Sequence, residues 1–410
     1  MKILMLGWEL PPHNSGGLGM ACYSLTKALS HMGIGIDFLV PYDADHGISH
    51  MNVISATHLD PLYRFGMGAY CTDDVSQKIF DSENKKAVSL RDIQERYTKF
   101  VYRYLLEHKG IDVIHAHDWL TYEAGVFAKE RFGIPLIAHV HSTEFDRAGA
   151  SRGNPMIHEI EYAGLMAADL ILAVSEATKR IVVEKYSIPA EKIYVCYNGF
   201  DPDVFSDEYN YNGDMCQYLD SLKREGHTIV TSIGRLTIQK GFYHYLKAAQ
   251  RALEKNDKMV FVVAGDGEQR DYLLRVSAEL GIADKVVFTG FIRGRELRDV
   301  YSVSDIFVMA SVSEPFGLTA LEAAHHGNSL VLTKQSGVSE IIWSAMKYDY
   351  WDEDKLANIL VAISQSAALR TSLERAAARE YRRMTWEQVA DKCVEIYNMA
   401  NNHNNEGLNS

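Results

Sequence analysis

Short apolar runs punctuate the first half of the chain, at Lys2 to Leu6, Ile34 to Val40, Val113 to His117, Leu136 to His141, Leu170 to Val174 and Ile193 to Cys196. Each is followed by a stretch whose apolar positions recur with helical spacing. Runs that are apolar on both faces suit strands buried in a parallel sheet, and the helices between them suit its crossover connections. The pattern breaks at Asp201. Residues 201–227, "DPDVFSDEYNYNGDMCQYLDSLKREGH", are polar and turn-rich and read as an interdomain connection. It restarts at Ile229 to Ile233, Val260 to Ala264, Val286 to Phe288, Ile306 to Ala310 and Leu330 to Thr333. The expected fold class is α/β, with two doubly wound parallel-sheet domains in series facing one another across a cleft. Ligands of such sheets bind beyond the carboxyl ends of the strands, so candidate chemistry is sought there. Trp386 to Met399 reads as a final helix, and "NNHNNEGLNS" after it as a frayed tail. The expected boundaries are a first domain over 1–205, a second over 206–382, a terminal helix over 383–400 and a disordered tail over 401–410.

Bulk properties narrow the classes. A chain of 410 residues, 47% of them apolar, is too long for one hydrophobic core. A net charge of −12 argues against nucleic acid or an anionic membrane as partner, since either asks for a basic face. Composition leaves peripheral membrane contact open without indicating it, and does not reveal an oligomeric state. Cys22, Cys71, Cys196, Cys216 and Cys393 form no CxxC pair, so neither a disulfide framework nor a thiolate zinc site is expected. No apolar run approaches the ~18 residues of a membrane span, and no signal-peptide layout opens the chain. A cytoplasmic protein is the expectation.

The first strand runs into "GWELPPHNSGGLGMACYSLTKALSHMG". Gly16, Gly17 and Gly19 are placed in a loop before a helix starting near Met20. Glycines at a helix start let an anion approach unpaired amides, which makes a phosphate seat; an ordinary tight turn would look the same. The spacing matches neither GxGxxG nor a P-loop. Two strands end in alternating histidines, "VIHAHDW" with His115, His117 and Asp118, and "IAHVHSTEFDR" with His139, His141, Glu144, Asp146 and Arg147. Alternation puts each histidine pair on one face. A metal site is set aside because nothing in the sequence fixes the mutual distance of the imidazoles. His141 and Asp118, at the strand tips, are expected to reach the cleft, and the remaining histidines to be packed. In the second half, "SIGRLTIQKGFYHYL" places Arg235 and Lys240 after a strand, where they suit a pyrophosphate. In "IFVMASVSEPFGLTALEAAHHG", Pro315 and Gly317 shape a loop, and the amides of Gly317, Leu318 and Thr319 at the next helix start form a second anion seat. Glu314 precedes that helix and Glu322 lies within it. Each carboxylate can accept from two neighbouring hydroxyls, so one suits a hexose diol and the other a ribose diol. Glu322 is equally a favourable charge near a helix start.

Taken in order, "SGGLG", "HAHDW", "AADLILAVSEATKR", "YNGFDPDVF", "GRLTIQKG", "VVAGDGEQRDYL", "VVFTGFI", "SEPFGLTALEA" and "TWEQVADKCVEIY" resemble the retaining GT-B glycosyltransferases of family 4, and within them the glycogen and starch synthase-like branch. The resemblance spans most of the chain and implies two facing Rossmann-like domains, with the last helix crossing back to the first. It implies a nucleotide-sugar donor, UDP- or ADP-glucose, and a carbohydrate acceptor such as an α-glucan. It puts the donor phosphates near Gly16 and Gly17, the diphosphate on Arg235 and Lys240, and the donor sugar and ribose on the E-x7-E pair Glu314 and Glu322. Phe316, Gly317 and Leu318 would offer backbone contacts. His141 corresponds to the cleft histidine, and Asp118 to an aspartate near the transferred sugar. The implied reaction transfers a hexosyl group with retention through an oxocarbenium-like transition state, with no cofactor and no metal; Asp43, Ala44 and Asp45 are an isolated coincidence with a DxD motif. A small glucoside, a cell-envelope glycan, a nucleotide-sugar epimerase and a silent binding protein are the alternatives. The chain departs from the family where "GNSLVL" and "SGVSE", with Ser336 before Gly337, replace glycine-rich segments, and at "IIWSAMKYDYWDEDKL".

Overall fold

A computed structural model describes residues 1–13, 16–56, 78–80, 87–149, 152–205 and 213–408. The chain divides into two compact units, Met1–Gly199 with Thr385–Ser410, and Phe200–Met384.

The strands of the first unit are β1 (Lys2–Leu6), β2 (Gly35–Val40), β3 (Asn52–Ser55), β4 (Lys78–Phe80), β5 (Ala87–Ser89), β6 (Val113–His117), β7 (Leu136–Val140), β8 (Leu170–Ala173) and β9 (Ile193–Val195). β4 and β5 form an antiparallel pair. The others make one parallel sheet in the order β3-β2-β1-β6-β7-β8-β9. Ile3, Leu4, Met5 and Leu6 are all buried, so β1 is covered on both faces, as its unbroken apolar run requires. The first helix, Gly17–His31, begins earlier than the sequence suggests. Gly16 is its N-cap, in an extended conformation, while Gly17 and Gly19 lie in its first turn. Glycine's low helix propensity hides such a start from sequence.

The last helix, Trp386–Leu408, packs on the helix Gly17–His31 and on β6 and β7. It buries Trp386, Val389, Ala390, Cys393, Ile396, Tyr397 and Ala400, which recur every three or four residues and make one apolar stripe. The helix runs to Leu408, into the stretch expected as a frayed tail from residue 401. No proline interrupts "NNHNNEGL", and its asparagines lack the apolar spacing that would have announced a helix.

The second unit holds β10 (Thr228–Ile233), β11 (Met259–Ala264), β12 (Val286–Gly290), β13 (Ile306–Met309), β14 (Ser329–Thr333) and β15 (Met346–Tyr348), all parallel in the order β12-β11-β10-β13-β14-β15. Part of the expected interdomain connection is a helix, Asp214–Arg224, which packs on the helix Arg295–Val303 and on β10. Its Met215, Cys216, Leu219 and Leu222 join that part of the core, but four apolar residues amid polar neighbours give a weak periodic signal. The strands of the two parallel sheets that sequence misses, β3 and β15, are both short sheet edges, where one flank needs no apolar cover; the antiparallel pair β4 and β5 is missed as well. β15 lies in the segment that departs from the family pattern. Ser336, where a glycine was expected, has φ −114° and donates from Oγ to Thr333 O at 2.7 Å, so its position asks for no left-handed backbone.

Cys22, Cys196, Cys216 and Cys393 are free thiols, and Cys71 lies outside the described residues. Among the described residues, no helix is long and apolar enough to cross a membrane.

Candidate functional site

In the second unit β10 and β13 are neighbours, so the loops leaving their carboxyl ends start side by side. They are stitched together: Val312 N donates to Gln239 O at 2.8 Å and Gln239 Nε2 to Ser313 O at 3.1 Å. Gly241 turns the first loop into the helix Phe242–Leu253 at φ 66°, and a Cβ there would stand 2.0 Å from Ala310 O. Only glycine permits both the turn and that approach. One consequence is that Lys240, just before this glycine, reaches Glu314, its Nζ lying 2.6 Å from Oε2. Ser311 Oγ donates to the same oxygen at 3.0 Å. The sequence gives Lys240 and Glu314 separate tasks, whereas the structure makes them one ion pair, half-buried, with side-chain exposures of 26% and 11%. The backbone of Glu314 is held as well, its N–H donating to Gln335 O at 3.0 Å and its carbonyl accepting from Gly337 N at 2.9 Å.

Beyond Glu314, Gly317 (φ 109°) is the N-cap of the helix Leu318–His325, and no side chain caps the first turn. Phe316 is buried, with its carbonyl accepting from Val338 N at 2.7 Å, while Leu318 and Thr319 are half-buried at the helix start. Helix-start amides and a lysine at adjoining strand ends are groups that could hold an anion. Arg235 lies half-buried in the same loop as Lys240. Glu322 accepts from Tyr301 Oη at 2.7 Å, and burial raises its pKa above the usual carboxylate range despite that hydrogen bond.

In the first unit, Asp118 follows β6 at φ 60°, an unusual conformation for a residue with a side chain. Its Oδ1 accepts from His141 N at 2.7 Å and Ser142 N at 3.3 Å, in the turn that follows β7. Its Oδ2 is buried with no hydrogen-bond partner. Burial pushes the Asp118 pKa up to about 7, against the opposing pull of Arg147 and the two amides. Gly16 and Gly17 stand at the start of the helix after β1, Gly17 exposed.

The four strand histidines do meet. His115 and His139 pair at 3.2 Å, His117 and His141 at 2.9 Å, and Tyr397 Oη from the last helix reaches His115 Nδ1 at 2.8 Å. Ring nitrogens of His115, His117 and His139 lie within 4.8 Å of one another, so the distance the sequence left open is short. The ring planes lie 12° apart in the His115–His139 pair and are tilted by 31° in the His117–His141 pair. Desolvation keeps His115, His117 and His139 well below the ordinary imidazole pKa and takes His141 down to about 3. The cluster is therefore neutral in the folded protein and charges only on unfolding. Each depressed histidine contributes stability that is fully present above the unfolded pKa and is lost as pH falls below it. Asp118, with its raised pKa, acts in the opposite sense between about pH 7 and 4, but is outnumbered. Chemical denaturation at pH 7 and pH 5 is expected to show lower stability at pH 5. In His139→Gln that pH-dependent loss shrinks by roughly 2 kcal/mol at pH 5, at about 1.4 kcal/mol for each unit below the ordinary histidine pKa.

Sequence reading named Arg147 after the second histidine strand without giving it a role, and did not single out Glu161, Tyr397 or Ser311. Arg147 and Glu161 lie 14 residues apart, on two different helices, and only burial reveals that they pair, at 2.6 Å. Ser311 announces itself only once the loop is seen to fold back on Glu314.

The family described as "Glycosyl transferases group 1" matches residues 219–378, and that described as "Glycosyltransferase Family 4" matches residues 15–204. An uncharacterized glycosyltransferase of Methanocaldococcus jannaschii is 28% identical over 410 residues, covering 98% of this chain and 98% of the relative. Glycogen synthase of Mycobacterium tuberculosis is 24% identical over 414 residues, covering 97% of this chain and 94% of the relative. Among solved structures, HepE of Anabaena in complex with UDP-glucose superposes with a TM-score of 0.72 at 18% identity, over 97% of this chain and 100% of that one.

Proposed function

Because the chain belongs to the GT-B glycosyltransferases of family 4, we propose that it transfers a hexosyl group, glucosyl foremost, from a nucleotide-sugar to a carbohydrate acceptor with retention of anomeric configuration. One observation carries the reading: at the ends of β10 and β13 a lysine, a carboxylate and an uncapped helix start are held together by glycine-dependent backbone packing. A cation beside helix-start amides suits a departing diphosphate, whose charge grows in the transition state. Arg235 and Lys240 supply that charge, so the reading requires no metal. As the diphosphate takes Lys240, Glu314 Oε2 is released to accept from hydroxyls of the sugar, and Ser311 keeps the carboxylate in place. Phe316, Gly317, Leu318 and Thr319 offer backbone contacts, and Glu322 serves the ribose. By the family resemblance, Gly16 and Gly17 of the first unit are assigned to the phosphates, and Asp118 and His141 to the transferred sugar. UDP-glucose is supported as donor by the HepE complex, with ADP-glucose as alternative, and an α-glucan as acceptor by the glycogen synthase relative.

The purified protein, offered UDP- and ADP-glucose with glucan and monosaccharide acceptors and read by mass spectrometry, is expected to add hexosyl units to the acceptor and to release one nucleoside diphosphate for each unit added. NMR of the product should show the α-anomer. An epimer formed without acceptor, or binding of every donor with no turnover, would overturn the assignment.

A further inference from the structure

The turn that receives Asp118 is built by buried charged groups outside the transfer chemistry described above. Arg147, in the short helix Glu144–Arg147, spends its guanidinium on three neighbours. Nη1 donates to Ser142 O at 3.2 Å and Ser142 Oγ at 2.8 Å, Nε to Glu144 Oε2 at 3.1 Å, and Nη2 to Glu161 Oε1 at 2.6 Å. Glu161, from the helix Pro155–Ala167, also accepts from Glu144 N at 3.0 Å and from Tyr186 Oη. All of Ser142, Glu144, Arg147 and Glu161 are buried. A buried cation between two carboxylates is costly unless its donors are used, and here four of its five N–H groups donate. The fork grips Ser142, whose amide, with that of His141, holds Asp118 Oδ1.

We propose that Arg147 is a positioning residue for Asp118. Anchored on Glu161 and Glu144, it fixes the His141–Ser142 turn so that two amides occupy one carboxylate oxygen and the other is left for the substrate. The inference rests on the assignment of Asp118 to the transferred sugar. The backbone of Asp118, at φ 60° and ψ 171°, agrees with it, since a conformation of this kind persists only where its surroundings over-determine it. The charged and titratable groups acting on Asp118 from the packed elements are Arg147, which favours the carboxylate, and Glu161, which opposes it; His141, Tyr122 and Cys22 are neutral there.

Two readouts test this. The first is the titration of the Asp118 carboxyl carbon by NMR in the unliganded full-length protein, identified by its loss in Asp118→Asn. Its midpoint is expected to move up by about one pH unit in Arg147→Gln, where the favouring cation is gone, and down in Glu161→Gln, where the opposing charge is gone. The second is transfer kinetics. In Arg147→Lys, which keeps a charge but not the fork, kcat is expected to fall on the order of 10-fold to 100-fold, with KM for the nucleotide-sugar within about two-fold. Should Arg147→Gln fail to fold, the near-isosteric Glu161→Gln carries the titration alone. An unmoved midpoint in the folded variants, or full kcat in Arg147→Lys, overturns the proposal. Because the titration needs no donor, that failure is distinct from a wild-type protein that transfers no sugar, which would strike the proposed function instead.

Discussion

Lys240→Ala is expected to lower kcat for transfer from UDP-glucose on the order of 10²–10³-fold, the scale of removing one preorganised charge-stabilising group. Its ammonium lies 2.6 Å from Glu314 Oε2, so deletion does two things at once. The leaving diphosphate loses a cation, and a half-buried carboxylate is left with Ser311 as its remaining side-chain donor in a site that must accept a second anion. Affinity for UDP should therefore fall together with kcat. Glu314→Ala should behave differently. It removes an acceptor for the sugar while leaving Lys240 for the phosphates, so transfer is lost but UDP still binds. In the double variant UDP should bind better than in Lys240→Ala alone, because the unpaired carboxylate is gone. Steady-state kinetics and calorimetric titration of UDP on the four proteins separate these effects. Wild-type turnover in either single variant would remove the pair from the chemistry.

The second large effect is expected from one methyl group. Gly241→Ala places a Cβ 2.0 Å from Ala310 O at φ 66°. Left-handed backbone alone costs a side-chain-bearing residue roughly 1–2 kcal/mol. The carbonyl is backbone at the end of β13 and cannot swing aside as a flexible side chain would. Accommodation must part the loop carrying Lys240 from the strand end carrying Glu314, so loss of stability beyond that strain is expected together with loss of transfer. Gly327→Ala is the control. It shares a positive φ of 79° but has nothing within 4 Å of the added Cβ. It should show the backbone cost alone and retain activity. Equal destabilisation in the two variants would mean that the close approach has no role.

How much of this was legible in the sequence depends on what each feature rests on. The central strands were readable because burial on both faces demands unbroken apolar runs, as at Ile3 to Leu6 and Val260 to Ala264. The edges β3 and β15 were not, since a strand paired on one side tolerates polar residues such as Asn52 and Lys347. The helix Asp214–Arg224 was hidden because its apolar face is only four residues long, and the extension to Leu408 because asparagines carry no periodicity. At the site, spacing placed Lys240 and Glu314 at strand ends but could not show that they touch. That contact depends on the approach of Gly241 to Ala310, between residues 69 apart. The Arg147–Glu161 pair was likewise invisible, because a charged residue reads as surface until its burial is seen. In contrast, the departure at Ser336 looked more disruptive in sequence than it is, since its backbone is extended.

The account turns on whether the diphosphate of a nucleotide-sugar exchanges with Glu314 for Lys240 at the start of the helix Leu318–His325. A crystal structure of the protein with UDP-glucose measures this directly. The prediction is a phosphate oxygen at about 3 Å from Lys240 Nζ and another near the Leu318 and Thr319 amides, with Glu314 turned to the sugar hydroxyls. A complex in which the nucleotide binds elsewhere and the Lys240–Glu314 pair stays closed would contradict it.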